Sequence, residues 1–227
     1  MMQIFRYLFS GVLFFSFIFP FNDVKAQKDA GLWANVSLNH QVTRRISVSL
    51  SEQIRLNQNV SQVDQVFTDA GITYQWSKSF RTGISYRLSF RNEIEFYETR
   101  HRFYVDLSYR LRKRPVSMTI RQRFQQQYSG LNTSENGDIP EWYSRTKLAV
   151  KYDLSKKYTP YVSVEAFYLI DNDDEDNQTF DQMRYEAGFD YDFNRRHSLN
   201  LFYMVQTKLL GKESTKFISG IGYTYSF

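Results

Sequence analysis

Apolar and polar residues alternate with period two along most of the chain. Ile84, Tyr86, Leu88 and Phe90 interleave with Ser85, Arg87 and Ser89. Phe103, Val105, Leu107, Tyr109 and Leu111 do the same with Tyr104, Asp106, Ser108 and Arg110, as do Tyr185, Ala187, Phe189, Tyr191 and Phe193 further on. This alternation is the mark of a strand with one buried face. No comparable stretch has helical spacing. The pattern predicts strands near Leu32–His40, Ile46–Leu56, Thr68–Trp76, Thr82–Phe96, Arg102–Leu111 and Val116–Phe124. Further strands are predicted near Ser144–Tyr152, Val162–Tyr168, Met183–Phe193, Leu199–Lys208 and Phe217–Phe227.

Charges within these windows keep to one face. Arg55, Asp69, Arg87, Arg123, Arg145 and Arg184 all fall on the polar side, and Glu52 alone falls on the apolar side. A slip of one residue would move Arg87, Arg121, Lys147 and Arg184 to the apolar face together. Facing lipid, each would cost about 2–4 kcal/mol at mid-bilayer. A soluble sandwich also alternates, so three further features decide. The windows mostly exceed the ~5–6 residues of soluble strands and approach the ~9–11 that span a bilayer. Aromatics such as Tyr74, Trp76, Tyr109, Tyr152 and Phe193 gather at strand ends, as interfacial girdles do.

The connections supply the third feature. Five short basic turns recur: Thr43-Arg44-Arg45, Ser77-Lys78-Ser79, Arg112-Lys113-Arg114, Ser155-Lys156-Lys157 and Asn194-Arg195-Arg196. Between them lie acidic connections, several of them longer. Short turns on the periplasmic side and longer loops outside are the habit of outer-membrane barrels. The expectation is therefore an all-β fold, a transmembrane antiparallel up-and-down β-barrel of ten to twelve strands. Such barrels usually have an even strand number. Eleven windows then mean that Leu32–His40 is no barrel strand, or that one strand is missing from the count.

Composition narrows the picture. The 227 residues include no Cys and three His, which removes disulfides and thiolate chemistry. A mean hydropathy of −0.52 with 18% aromatics is too polar for a bundle of membrane helices. At the N-terminus, Arg6 precedes an apolar run from Tyr7 to Phe21, and Val24-Lys25-Ala26 offers small residues before Gln27. The run is too short for the ~30 Å hydrocarbon core as a helix, which favours a cleaved signal peptide over a membrane anchor. The division is a leader over residues 1–26 and one barrel domain over residues 27–227, exported to the bacterial outer membrane.

The last strand carries Ile221, Tyr223, Tyr225 and a terminal Phe227. In this it resembles bacterial outer-membrane proteins. Together with Gly31-Leu32-Trp33, the repeated turns and the ending Tyr-Thr-Tyr-Ser-Phe, the chain resembles a family of Bacteroidetes barrels classed as a domain of unknown function. The resemblance implies location, fold and recognition of the strand ending at Phe227 by the barrel-assembly machinery. It supplies no activity.

The candidate chemistry lies inside. Counted from the basic turns, Arg87, Asp106, Arg121, Lys147, Glu165 and Glu186 reach similar depth and form a lumen charge belt. The counting sets Arg87 and Arg121 beside Asp106, and Lys147 beside Glu165. Such a belt is either a structural ion-pair layer or a selectivity ring. Asp171, Asp173, Asp174, Glu175 and Asp176 form a candidate loop site for a divalent cation, although the EF-hand pattern fails. His101 near Glu93, Glu95 and Glu98 is a candidate rim base for a hydrolase, whereas alternation splits His197 from Ser198. No nucleophile elbow, phosphate loop or paired-His zinc motif occurs. The expectation is no cofactor, no metal and no enzyme. The basic turns, spread over five tips, point to outer-membrane lipids and lipopolysaccharide and away from nucleic acid. The leading function is a small-solute channel. The alternative is a closed structural or surface-interaction barrel.

Overall fold

A computed structural model describes residues 29–93, 96–129, 140–170, 180–209 and 214–227. The leader, the acidic loop from Asp171 to Asn177 and Glu95 lie outside the described residues. Eleven strands close into one barrel: β1 (Asp29–Gln41), β2 (Ile46–Asn57), β3 (Gln62–Gln75), β4 (Phe80–Asn92), β5 (Tyr97–Lys113), β6 (Val116–Ser129), β7 (Glu141–Tyr152), β8 (Tyr158–Leu169), β9 (Phe180–Asp192), β10 (His197–Lys208) and β11 (Ser214–Ser226).

Each strand pairs antiparallel with its sequence neighbour, and β1 closes the ring on β11 in parallel, from Asp29 opposite Lys216 to Asn39 opposite Ser226. This answers the even-number expectation. Neither ten nor twelve strands form, because β1 runs in the same direction as β11 and starts at the loop end. The segment Leu32–His40 is therefore a full barrel strand. The C-terminal residue completes the seam: Phe227 donates its N–H to Asn39 O at 3.0 Å, and Gln41 N–H donates to Phe227 O at 3.2 Å.

The basic turns share a physical device. A side-chain oxygen at the first position accepts two backbone N–H groups, two and three residues on. Thr43 accepts from Arg45 and Ile46, Ser77 from Ser79 and Phe80, Ser155 from Lys157 and Tyr158, and Asn194 from Arg196 and His197, at 2.8–3.2 Å. Short oxygen-bearing side chains do this without a strained backbone. The Arg112 turn differs: Arg112 and Lys113 stay in β5, and the chain reverses at Arg114-Pro115.

Strands reach further toward the loop end than the apolar pattern indicates. β3 begins at Gln62, β5 at Tyr97, and β6 runs to Ser129. There the outward face loses its apolar character at Thr99 and Gln126, while the backbone ladder continues.

The barrel is apolar on the outside. The row Val48, Ile72, Ile84, Val105 and Phe124 crosses five strands in register on the outer wall, with Ile84 69% and Ile72 59% exposed. Glu52 sits on this wall and accepts a hydrogen bond from Thr68 at 2.5 Å. At the turn end, ring pairs Tyr74–Trp76, Tyr158–Tyr191, Tyr191–Phe193 and His40–Phe227 form a girdle.

The inner face departs from the expected polar lining. Phe67, Tyr104, Phe167, Met204 and Ile218 are the buried apolar residues, and all of them point inward. Near the seam, Trp33 meets Phe202 edge-on at 6.5 Å, and the Phe202 ring lies on Gly220. A Cβ at Gly220 would stand 2.0 Å from that ring. Gly188 is equally covered, by Leu201 O, Phe202 and the Tyr161 hydroxyl. These glycines make room for inward rings, so they do not open the lumen.

Gly220→Ala is expected to destabilise the barrel by about 1–3 kcal/mol through overpacking. Because Phe202 is the obstacle, the Gly220→Ala/Phe202→Ala pair loses less than the sum of the single changes. Urea titration followed by heat-modifiable gel mobility measures both.

Candidate lumen site

The inner charges are arranged by the ladder. Arg87 stands directly opposite Arg102, Arg121 opposite Lys147, and Arg123 opposite Arg145. Facing like charges oppose pairing of strands, and carboxylates to one side relieve most of these pairs. Asp69 accepts from Arg87 at 2.5–3.1 Å and from the Tyr104 hydroxyl at 3.0 Å. Asp106 takes Arg123 in a bidentate pair, 2.7 Å on each arm. Glu165 holds both Arg121 (2.5 Å) and Arg145 (2.8 Å), and Glu186 meets Lys147 at 3.5 Å.

All six residues of the sequence-read belt thus face the lumen in ion pairs. Lys147 does stand opposite Glu165, as counted, although its ion pair is with Glu186, whereas the counted neighbours of Asp106 are replaced. Asp106 lies opposite Gly83 and Arg123, so Arg123 and not Arg121 reaches it. Arg87 is four residues from the position facing Asp106 and turns instead to Asp69. Equal counts from the turns do not give equal register, because β4 and β5 are joined at the loop end and pair by their own hairpin.

Aromatic rings interleave with these guanidiniums. The Arg87 guanidinium carbon lies 3.7 Å from the Phe67 ring centre, Arg123 3.8 Å from Tyr104, and Arg145 4.1 Å from Phe167. Arg55 lies 3.7 Å from Trp33 and 4.8 Å from Phe67, and Arg184 lies 4.6 Å from Phe167 and 5.3 Å from Trp33. Guanidiniums and rings therefore run around the lumen from β1 to β9. Desolvated stacks of this kind contribute about 2 kcal/mol each. Phe67 and Phe167 were legible only as breaks in alternation, at Val66-Phe67 and at Ala166-Phe167-Tyr168.

The charges of the belt do not cancel. Among the described residues, Arg55, Arg102 and Arg184 form no ion pair. Their acceptors are amide oxygens: Gln53 and Gln65 for Arg55, Gln127 for Arg102, and Gln206 and Gln182 for Arg184. Arg121 Nε is buried with no acceptor among the described residues.

Toward the turn end the lumen opens into a polar cavity of about 360 Å³, bordered by Arg110, Arg112, Lys151, Asp153, Asp190 and Ser198. Two ion pairs form at its wall, Lys151 with Asp190 at 2.5 Å and Arg112 with Asp153 at 2.8 Å, and they are more exposed than those of the belt.

The histidines are engaged elsewhere. His101 points outward and lies 2.6 Å from the Tyr86 hydroxyl. Glu98 faces inward, held by Arg100, which also meets Glu93 at 3.3 Å. Alternation thus separates His101 from Glu98. His197 Nδ1 lies 2.5 Å from the Tyr223 hydroxyl on the outer wall, while Ser198 borders the inner cavity. His40 Nδ1 lies 3.0 Å from Phe227 O.

The chain belongs to a family described as a protein of unknown function (DUF2490), whose model matches residues 30–215. The match shows the family and no particular bacterial group. No curated protein matches the sequence. Among solved structures, LpxR from Salmonella typhimurium aligns over 84% of this chain and 87% of its own, with 10% identity and a TM-score of 0.51. The beta domain of the Bordetella autotransporter BrkA aligns over 80% and 82%, with 10% identity and a TM-score of 0.49. The translocator domain of the autotransporter NalP from Neisseria meningitidis aligns over 82% and 80%, with 12% identity and a TM-score of 0.47. The barrel fold resembles that of bacterial outer-membrane proteins. The expectation that this chain is no enzyme does not stand, because a barrel fold shared with LpxR at 10% identity leaves an enzymatic role open. That expectation leaned on missing motifs, and a fold neither grants nor forbids a reaction.

Removing the carboxylate that serves two arginines is expected to cost most. Glu165→Gln leaves buried cations uncompensated, and about 3–5 kcal/mol is lost. Asp190→Asn, at the wetter mouth, is expected to cost under about 1 kcal/mol. Urea unfolding of the two variants side by side checks the contrast.

Proposed function

We propose that this DUF2490 member is an outer-membrane β-barrel, exported by a leader over residues 1–26, whose lumen admits small anions. One observation carries the reading: Arg55, Arg102 and Arg184 face the lumen and form no ion pair among the described residues, while the carboxylate opposite Arg184, Glu165, is held by Arg121 and Arg145. A charged cleft with low-dielectric walls focuses its field and concentrates counter-ions. Rings of Arg or Lys are how anion pores select. Eleven strands lie between the ~8 that leave a filled interior and the ~16–18 of an aqueous channel. The Arg–aromatic belt is then the constriction, and the cavity at the turn end is its vestibule.

In this reading the turns face the periplasm and the longer connections face outward. The apolar wall contacts lipid, the basic tips contact anionic headgroups or lipopolysaccharide, and the strand ending at Phe227 is read by the assembly machinery. The acidic loop residues Asp171, Asp173, Asp174, Glu175 and Asp176 remain a proposal for loose cation contact at the outer rim. A second reading has its own observation: the packing of Phe67, Phe167, Met204 and Ile218 inside the barrel favours a closed lumen.

Planar-bilayer recording of the refolded chain separates the two. An anion-selective reversal potential in a KCl gradient, shifted toward cations in Arg184→Glu, is the expected result. A folded barrel without conductance supports the closed reading.

Ile84→Arg tests the wall. It is expected to lose about 2–4 kcal/mol in bilayers. A soluble barrel would lose almost nothing at so exposed a position, and equilibrium unfolding in vesicles reads the difference.

A further inference from the structure

The unpaired guanidiniums do more than set a field. Arg55 and Arg184 both face the Trp33 ring, so two cations without an ion pair among the described residues converge from β2 and β9 on β1. Glu165 stands opposite Arg184 in the β8–β9 ladder, but Arg121 and Arg145 already hold it. Arg55 and Arg87 face the same Phe67 ring, and Arg87 stands opposite Arg102 in the β4–β5 ladder. Bringing like charges together costs energy unless an anion lies among them. The Asp69 carboxylate is already engaged by Arg87 and Tyr104. Stacking on the rings fixes the guanidinium planes. The neighbouring glutamines accept only some of the five N–H donors that each guanidinium carries. Arg102 and Arg184 each give Nε and one Nη to amide oxygens, leaving Nη1 with no acceptor among the described residues. All three side chains are partly accessible, so these donors reach the lumen.

We propose that Arg55, Arg102 and Arg184, braced by Trp33, Phe67 and Phe167, form a binding site for a multivalent oxyanion of the phosphate or polycarboxylate type. The proposal rests on the reading of the lumen as anion-accepting and adds a ligand class to it. Three reasons favour a multivalent oxyanion over chloride. Several cations lack a counter-charge, and one halide neutralises only one of them. Planar guanidinium forks match the paired oxygens of phosphate and carboxylate groups, and form bidentate bonds with them. Arginine, less strongly hydrated than lysine, is suited to giving up water at such a site.

Trp33 supplies a direct readout. The chain has three Trp, and the Trp76→Phe/Trp142→Phe background leaves Trp33 as sole reporter. Inorganic pyrophosphate titrated into this detergent-refolded protein at constant ionic strength is expected to change Trp33 emission saturably. Citrate in a parallel titration tells a phosphate preference from a carboxylate preference. Arg184→Gln and Arg55→Gln, checked for folding by heat-modifiable migration, are expected to weaken binding at least tenfold. Arg110→Gln, at the mouth, is expected to leave it unchanged. Emission that responds to pyrophosphate and citrate no more than to chloride would overturn the proposal. So would equal affinity in folded Arg184→Gln and Arg55→Gln proteins. The titration needs no conduction, so the two readings fail separately. Saturable binding without conductance keeps the site and removes the passage. Anion-selective conductance without binding keeps the passage and removes the site.

Discussion

A sheet that rolls up must leave no edge. Every strand of this wall has two neighbours, and the constraint falls hardest on β1 and β11, which meet in parallel. Parallel pairing is slightly less stable per residue than antiparallel pairing. The seam is reinforced from both sides. Phe227 exchanges backbone hydrogen bonds with the β1 strand and stacks on His40 outside. Within, Phe202 lies over Gly220 and meets Trp33. The final aromatic residue and an inward Trp thus brace the same joint.

Closure also dictates the lumen. With most apolar side chains committed to the outer wall, the inner positions must fill a confined space with a few rings and with polar groups that satisfy one another. The ladder brings like charges face to face three times, at Arg87/Arg102, Arg121/Lys147 and Arg123/Arg145. Carboxylates on flanking strands bind one or both members of each pair, and aromatic rings support the guanidinium planes. Arg102 escapes this scheme. Its partner is the neutral Gln127, and with Arg55 and Arg184 it gives the interior a net positive character.

Much of the wall was legible in the sequence because alternation with period two is a local property. The outward row through Ile84 and Val105, the basic turns and the inward placement of Glu165 follow from it directly. The repeated Ser, Thr or Asn of the turns was visible as a pattern, and its cause lies in the two N–H groups that each oxygen accepts. Register was not legible, since it depends on which hairpin joins two strands and at which end. Asp106 therefore pairs with Arg123, and Arg87 with Asp69. The inward rings were hidden because Phe67 and Phe167 sit beside other apolar residues, where alternation carries no information. Parallel closure was hidden for a different reason: a general rule about even strand numbers argued against β1, although its own alternation was clear.

The parallel seam also fixes where the barrel's two ends lie. Asp29 begins at the loop end and Phe227 finishes at the turn end, so the full height of the wall separates them. In an even-stranded up-and-down barrel the ends are neighbours, and a short peptide can join them to make a circular permutant. Here that junction would need a linker as long as a strand, running through the lumen or across the outer wall. Peptide tags placed before Asp29 and after Phe227 would for the same reason report on opposite rims of one molecule.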